Sequence, residues 1–127
     1  MFEKIDYVMV MVTDMDRSIV FYRDLLGLRV RFTSPDWTEL DTGHTTLALH
    51  SGAVQGAPGD KRLGGIASLG FYVKDVDAAA RELRSRGVKF LLEPENRPGE
   101  PIRLAVIADP DGLEINITQL VRQAARG

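Results

Sequence analysis

Val10-Met11-Val12-Thr13-Asp14-Met15-Asp16 and Phe71-Tyr72-Val73-Lys74-Asp75-Val76-Asp77 are the two stretches that decide the architecture of this chain. Set one beneath the other, Val12 meets Val73, Asp14 meets Asp75, Asp16 meets Asp77 and, further on, Arg23 meets Arg84. One residue is then lost, and Gly27 meets Gly87. A self-similarity that falls on the start and stop signals of both segments points to an internal repeat.

Each copy opens with alternation. Val8, Val10 and Val12 share one face of a first strand, and Leu69, Phe71 and Val73 share one face of its counterpart. Period two in β-branched and aromatic residues predicts a half-buried strand. Asp14 and Asp75 come next as helix N-caps, each with a second acid in the first turn, where the helix dipole favours it. Met15, Ile19, Tyr22 and Leu26 recur at helical spacing, as do Val76, Ala80 and Leu83. Gly27 and Gly87 stop the two helices. Three strands are expected after each helix: near Leu28–Thr33, Trp37–Asp41 and Thr46–His50, then near Val88–Leu92, Arg103–Ala108 and Leu113–Thr118. Asp41-Thr42-Gly43-His44 and Asp109-Pro110-Asp111-Gly112 read as turns. Gly52–Gly65, with five glycines and one proline, reads as a linker; Pro94–Pro101 reads as an irregular loop and Val121–Gly127 as a polar tail. The expected organisation is one domain over residues 1–127, with module one at about 4–52, a linker at 53–65 and module two at about 66–120.

Bulk composition agrees with a folded chain of this kind. At 127 residues with 44% hydrophobic content, a real core can be buried. A formal net charge of −2 and the lack of a basic run argue against nucleic acid as a partner. The absence of cysteine excludes disulfides, thiol nucleophiles and thiolate metal sites. No apolar run approaches the ~18 residues of a membrane span. Met1-Phe2-Glu3-Lys4-Ile5-Asp6 carries acids where a secretory signal has bases, so a cytoplasmic location is expected.

The resulting fold class is α+β: two βαβββ modules forming a curved mixed sheet around a cavity, with the helices on its outer face. Val8, Val10, Val12, Leu47, Leu49, Leu69, Phe71, Val73, Leu113, Ile115 and Ile117 are expected to face the helices. The mixed faces hold Tyr7, Met9, Met11, Thr46, Ala48, His50, Ser68, Gly70, Tyr72, Glu114, Asn116 and Thr118. Curling such a face inward makes a concave site, the usual place for a small ligand.

With these motifs in hand, the chain resembles the vicinal-oxygen-chelate superfamily, which includes glyoxalase I, bleomycin-resistance proteins and extradiol dioxygenases. The resemblance runs from about Ile5 to Leu120. It rests on Val12-Thr13-Asp14-Met15-Asp16-Arg17-Ser18 leading into Phe21-Tyr22-Arg23-Asp24-Leu25-Leu26-Gly27-Leu28, and on Asp109-Pro110-Asp111-Gly112. It is specific for fold and unspecific for activity. It implies a homodimer, and a divalent-metal site whose four ligand positions fall on Tyr7, Ala48, Ser68 and Asn116. Ala48 has no donor atom, Ser68 and Asn116 are weak neutral donors, and a phenol such as Tyr7 ordinarily titrates near pH ~10. A catalytic metal needs about three protein ligands, so no metal and no cofactor is expected. His50, Glu114 and Tyr72 offer a displaced set; otherwise His50 is an ordinary polar residue and Glu114 a solvated one. His44 belongs to the surface.

Strand parity points Trp37, Glu39 and Asp41 inward. An aromatic wall beside acids suits a flat or cationic ligand, unless Trp37 caps the core or sits in a dimer contact. By the same parity Arg31 and Arg103 point inward, where either could hold a carboxylate or phosphate, or they are simply solvated. Met9 and Met11 line an adaptable apolar surface or fill gaps. Tyr7 and Tyr72 are binding residues first. The expected ligand-binding set is therefore Tyr7, Met9, Arg31, Trp37, Glu39, His50, Ser68, Tyr72, Arg103, Glu114 and Asn116. The expected function is metal-free small-molecule binding, as in the drug-sequestering, antibiotic-resistance branch of the superfamily. The alternative is a lyase, isomerase or dioxygenase with a displaced or atypical metal. The mildly acidic net charge favours a cationic or neutral ligand.

Overall fold

The computed structural model describes residues 1, 3, 5–51 and 68–121; the linker at 53–65 and all of the tail but Val121 lie outside the described residues. Backbone contacts divide the chain into two compact units. One comprises Met1–Leu63 with Pro110–Gly112, the other Gly64–Asp109 with Leu113–Gly127.

The first unit carries β1 (Tyr7–Met11), helix α1 (Met15–Ile19) running on as a π-helical segment (Val20–Leu25), β2 (Arg29–Thr33), β3 (Trp37–Asp41) and β4 (Thr46–His50). Its sheet has the order β1-β4-β3-β2, with β1 parallel to β4 and the other pairs antiparallel. The second unit carries β5 (Leu69–Tyr72), α2 (Val76–Ser85), β6 (Phe90–Asn96), β7 (Ile102–Ala108) and β8 (Glu114–Leu120), in the order β5-β8-β7-β6 with the same mixture of directions. The two βαβββ modules thus form two four-stranded mixed sheets.

The helix starts obey the same local rule twice. Asp14 (φ −140°, ψ 106°) accepts at Oδ1 from Arg17 N at 3.0 Å, and Asp75 (φ −143°, ψ 101°) accepts at Oδ1 from Ala78 N at 3.0 Å. Each cap satisfies an N–H that the helix itself cannot, an effect of about 1 kcal/mol. The stops also match: Gly27 and Gly87 have φ of 81° and 83°, a conformation that a Cβ disfavours. Between cap and stop the modules differ. The expected single α-helix of the first module turns π-helical, with Leu26 N donating to Phe21 O at 3.0 Å. A bond five residues back encloses one residue more than an α turn, and the first module has one residue more between cap and glycine than the second.

On the helix side the core of the first unit includes Val10, Val12, Met15, Phe21, Tyr22, Leu40, Leu47 and Leu49, and that of the second Val76, Ala80, Leu83, Val88, Ala105, Ile107, Leu113, Ile115 and Ile117; Ala48 and Leu104 are buried on the opposite faces. The helix-side faces are those that alternation predicts, and each large aliphatic side chain removed from water adds roughly 1.5–3 kcal/mol. Val8 departs from the expectation. On the edge strand β1 it stays exposed. The loop expected at Pro94–Pro101 is shorter than predicted, because β6 runs through Pro94 to Asn96. β6 is an edge strand whose pairing shifts register between Leu92 and Glu95, and an edge or bulge tolerates a residue with no N–H to donate. The turn at Asp109-Pro110-Asp111-Gly112 is tied twice over. Asp109 Oδ1 accepts from Leu113 N at 2.8 Å. Buried Asp111 accepts from Thr13 N at 3.1 Å and Thr13 Oγ1 at 2.5 Å, with Arg17 Nη2 at 3.4 Å.

Candidate functional site

The face of the first sheet opposite its helix is a grid centred on Ala48. Met9 and Glu39 flank Ala48 on β1 and β3, while Thr46 and His50 lie on either side of it along β4. Tyr7 pairs with Thr46 and Trp37 pairs with His50, so Tyr7 and Trp37 occupy opposite corners of this grid. Their rings nevertheless come within 5.4 Å, edge to face. To meet, they must reach across the grid's centre, and Ala48 beneath them has no accessible surface. A larger residue at 48 would hold them apart. The indole also meets the His50 ring at 5.9 Å, again edge to face. Such pairs contribute about 0.5–1.5 kcal/mol beyond their buried area.

Polar contacts fix the indole in place. Trp37 Nε1 donates to Glu39 Oε2 at 3.0 Å, and Glu39 Oε1 faces Arg31 Nη2 at 3.4 Å. The same Arg31 nitrogen donates to Thr46 Oγ1. Tyr7, Met9, Arg31, Trp37, Glu39 and His50 therefore share one surface, as strand parity suggested. Tyr7 and Met9 remain substantially exposed. His50 Nδ1 is buried with no hydrogen-bond partner among the described residues.

Phe32 joins this face, which parity alone did not suggest. A register shift lies between Val30 and Phe32, so Val30 stands opposite Leu40 on the core side while Phe32 stands opposite Glu39. The switch is confirmed one residue on, where Thr33 meets buried Thr38 with 2.8 Å between their hydroxyl oxygens. A bulge sets two residues against one and re-aims the side chains beyond it. Here it brings Phe32, 53% exposed, beside Arg31. No glycine or proline marks the bulge in the sequence.

The second unit arranges its predicted residues differently. Ser68 and Glu114 are exposed, Asn116 is half-buried opposite Gly70, and Tyr72 stands opposite Thr118. At a strand's rise, Tyr72 and Glu114 are about 13 Å apart along the sheet, so these two do not converge on one ion. Arg103 points away from this face. It pairs with Gln119 on the side of Ala105 and Ile107, and its guanidinium clasps Asp77 of α2 through Nε at 2.9 Å and Nη2 at 2.8 Å. The hydrogen bond from Arg103, reinforced by its charge, holds the Asp77 carboxyl below the usual carboxylate range. The expectation that Arg103 points inward is corrected by the register of β7 on β8, which sets it on the same side as Ala105 and Ile107.

The residues present do not fit a divalent ion. Ala48 offers no donor and is buried, Tyr7 is packed against Trp37, and among the described residues no group of three or more His, Cys, Asp or Glu side chains could hold a metal. Nor is any helix among them long and apolar enough to cross a membrane.

Comparison with known proteins adds ancestry to this geometry. The family model described as Glyoxalase/Bleomycin resistance protein/Dioxygenase superfamily matches residues 4–117. YraH of Bacillus subtilis (strain 168) is 30% identical, over 93% of this chain and 99% of its own. TnmS3, described as an antibiotic binding protein from Streptomyces sp. CB03234, superposes with a TM-score of 0.75 at 27% identity, covering 94% of this chain and 97% of its own. A glyoxalase/bleomycin resistance protein/dioxygenase from Nocardioides superposes with a TM-score of 0.78 over 100% of this chain and 89% of its own, and at 18% identity supports the fold alone.

Proposed function

The chain belongs to the glyoxalase/bleomycin resistance protein/dioxygenase superfamily, and on that premise we propose that it is a metal-free small-molecule-binding protein of the drug-sequestering kind. One observation carries the reading. Where the family resemblance puts a metal ligand, this chain has buried Ala48, and the Tyr7 and Trp37 rings meet edge to face from opposite corners of the grid around it. That arrangement removes a Lewis acid's donor atom and supplies an aromatic surface instead. The surface is adaptable at Met9 and polar at Glu39 and Arg31, the mixture that small-molecule sites use to bind and orient. The antibiotic-binding description of TnmS3 adds weight by similarity. The working form in this proposal is a cytoplasmic homodimer.

Trp37 is the chain's single tryptophan, so its emission reports the site directly. Titration with a panel of planar aromatic compounds, antibiotics included, should perturb Trp37 emission saturably for at least one member, with no change on adding a chelator. Metal analysis of freshly purified protein decides the opposing case. Stoichiometric nickel, zinc, iron or manganese, with ligand turnover that chelation abolishes, would replace sequestration by catalysis.

A further inference from the structure

We infer that the first module's site recognises planar aromatic acids, with Arg31 as the residue that reads the anionic group. The inference rests on the small-molecule-binding reading above and names its ligand class. Arg31 differs from an ordinary solvated arginine in being held. Nη2 is engaged by Thr46 Oγ1 and lies 3.4 Å from Glu39 Oε1, while no partner meets Nε or Nη1 among the described residues. The guanidinium is thus oriented through one nitrogen and keeps N–H donors at the other two. Its side chain is 51% exposed, and its neighbour across the bulge, Phe32, is 53% exposed. A flat ring lying along Phe32 and Trp37 would carry its acidic substituent to the free donors of Arg31.

The competing reading is a cation held by Glu39. Net charge favours it, but local chemistry does not. Glu39 already accepts from the indole N–H at Oε2 and faces Arg31 at Oε1, and its side chain is less open at 32%. An ammonium ligand would have to compete for oxygens in use and sit beside a guanidinium. A carboxylate or ionised phenol meets unused donors, and charge-assisted hydrogen bonds of this kind are roughly twice as strong as neutral ones. Arg103, the other arginine considered for this role, is committed to Asp77.

Three probes of one shape separate the possibilities: 2-naphthoate, 2-naphthamide and 2-naphthylmethylammonium, measured by calorimetry on the full chain. The expected order is naphthoate over amide by about tenfold, with the ammonium weakest. Arg31→Gln should erase the preference for naphthoate, and Arg31→Lys should restore part of it, since the charge returns without the planar fork. Unchanged melting temperatures of both variants would show that folding is intact. Equal binding of acid and amide, or tighter binding of the ammonium, overturns the inference and leaves the binding function standing. Absence of binding by all three, with no response of Trp37 to the wider aromatic panel, overturns both.

Discussion

The two modules repeat each other's backbone closely and each other's chemistry hardly at all. Caps and stops coincide within a few degrees, and both second strands shift register at the same place, between Val30 and Phe32 in one and between Phe90 and Leu92 in the other. On the faces opposite the helices the correspondence ends. Equivalent register positions place Trp37 against Leu104, Glu39 against Val106, His50 against Thr118, Tyr7 against Ser68, and Ala48 against Asn116. At the bulge, Arg31 and Phe32 have Leu91 and Leu92 as counterparts. The difference shows that the scaffold requires only the core face and the turn residues. The other face differs between the modules, and its aromatic and charged residues gather in the first.

The largest expected effect tests the first helix, a place where the modules' scaffolds diverge. Tyr22 sits in the π-helical segment with no accessible surface and packs against Phe21 with ring centroids 5.0 Å apart, while Leu83 stands at the same point of α2. Tyr22→Ala should cost about 3–5 kcal/mol in urea unfolding, and Leu83→Ala less. The opposite order would mean that the π segment is not the better-packed helix. Next, Ala48→Leu should destabilise by about 1–3 kcal/mol through overpacking and shift Trp37 emission to the red as the rings separate. Asn116→Leu, at the corresponding point, should stay within about 0.5 kcal/mol. Similar costs at both positions would remove the claim that rings meet across only one of them.

Replacing Trp37 with the residue its counterpart carries sharpens the functional side. Trp37→Leu should weaken a ligand found by titration at least about tenfold by calorimetry, since it removes an aromatic wall and two ring contacts. Undiminished affinity would move the site off the first module. The smallest effect concerns a pair that the second module alone possesses. Because Arg103 lowers the Asp77 pKa in the folded state, the pair's stabilisation is present above the ordinary carboxylate pKa of about 4 and is lost as pH falls through the folded value. An NMR titration should place the Asp77 midpoint below the usual range and return it upward in Arg103→Gln. A midpoint indifferent to that change would deny the pairing.

Local signals made most of the architecture legible. Alternation, capping acids and stop glycines depend on a few neighbouring residues and on interactions of short range, so Asp14, Asp75, Gly27 and Gly87 could be read without coordinates. Strand parity was also enough to collect Tyr7, Met9, Trp37, Glu39 and His50 on one face. Register was beyond the reach of parity. Phe32 changed faces because a bulge broke the count with no residue to announce it, Arg103 took the helix side where Asp77 awaited it, and β6 ran through Pro94 because it is an edge. Above all, the meeting of two rings across Ala48 is set by which strands neighbour one another. Tyr7 and Trp37 are distant in sequence and two strands apart in the sheet, and only the order β1-β4-β3 brings them together over a side chain small enough to let them touch.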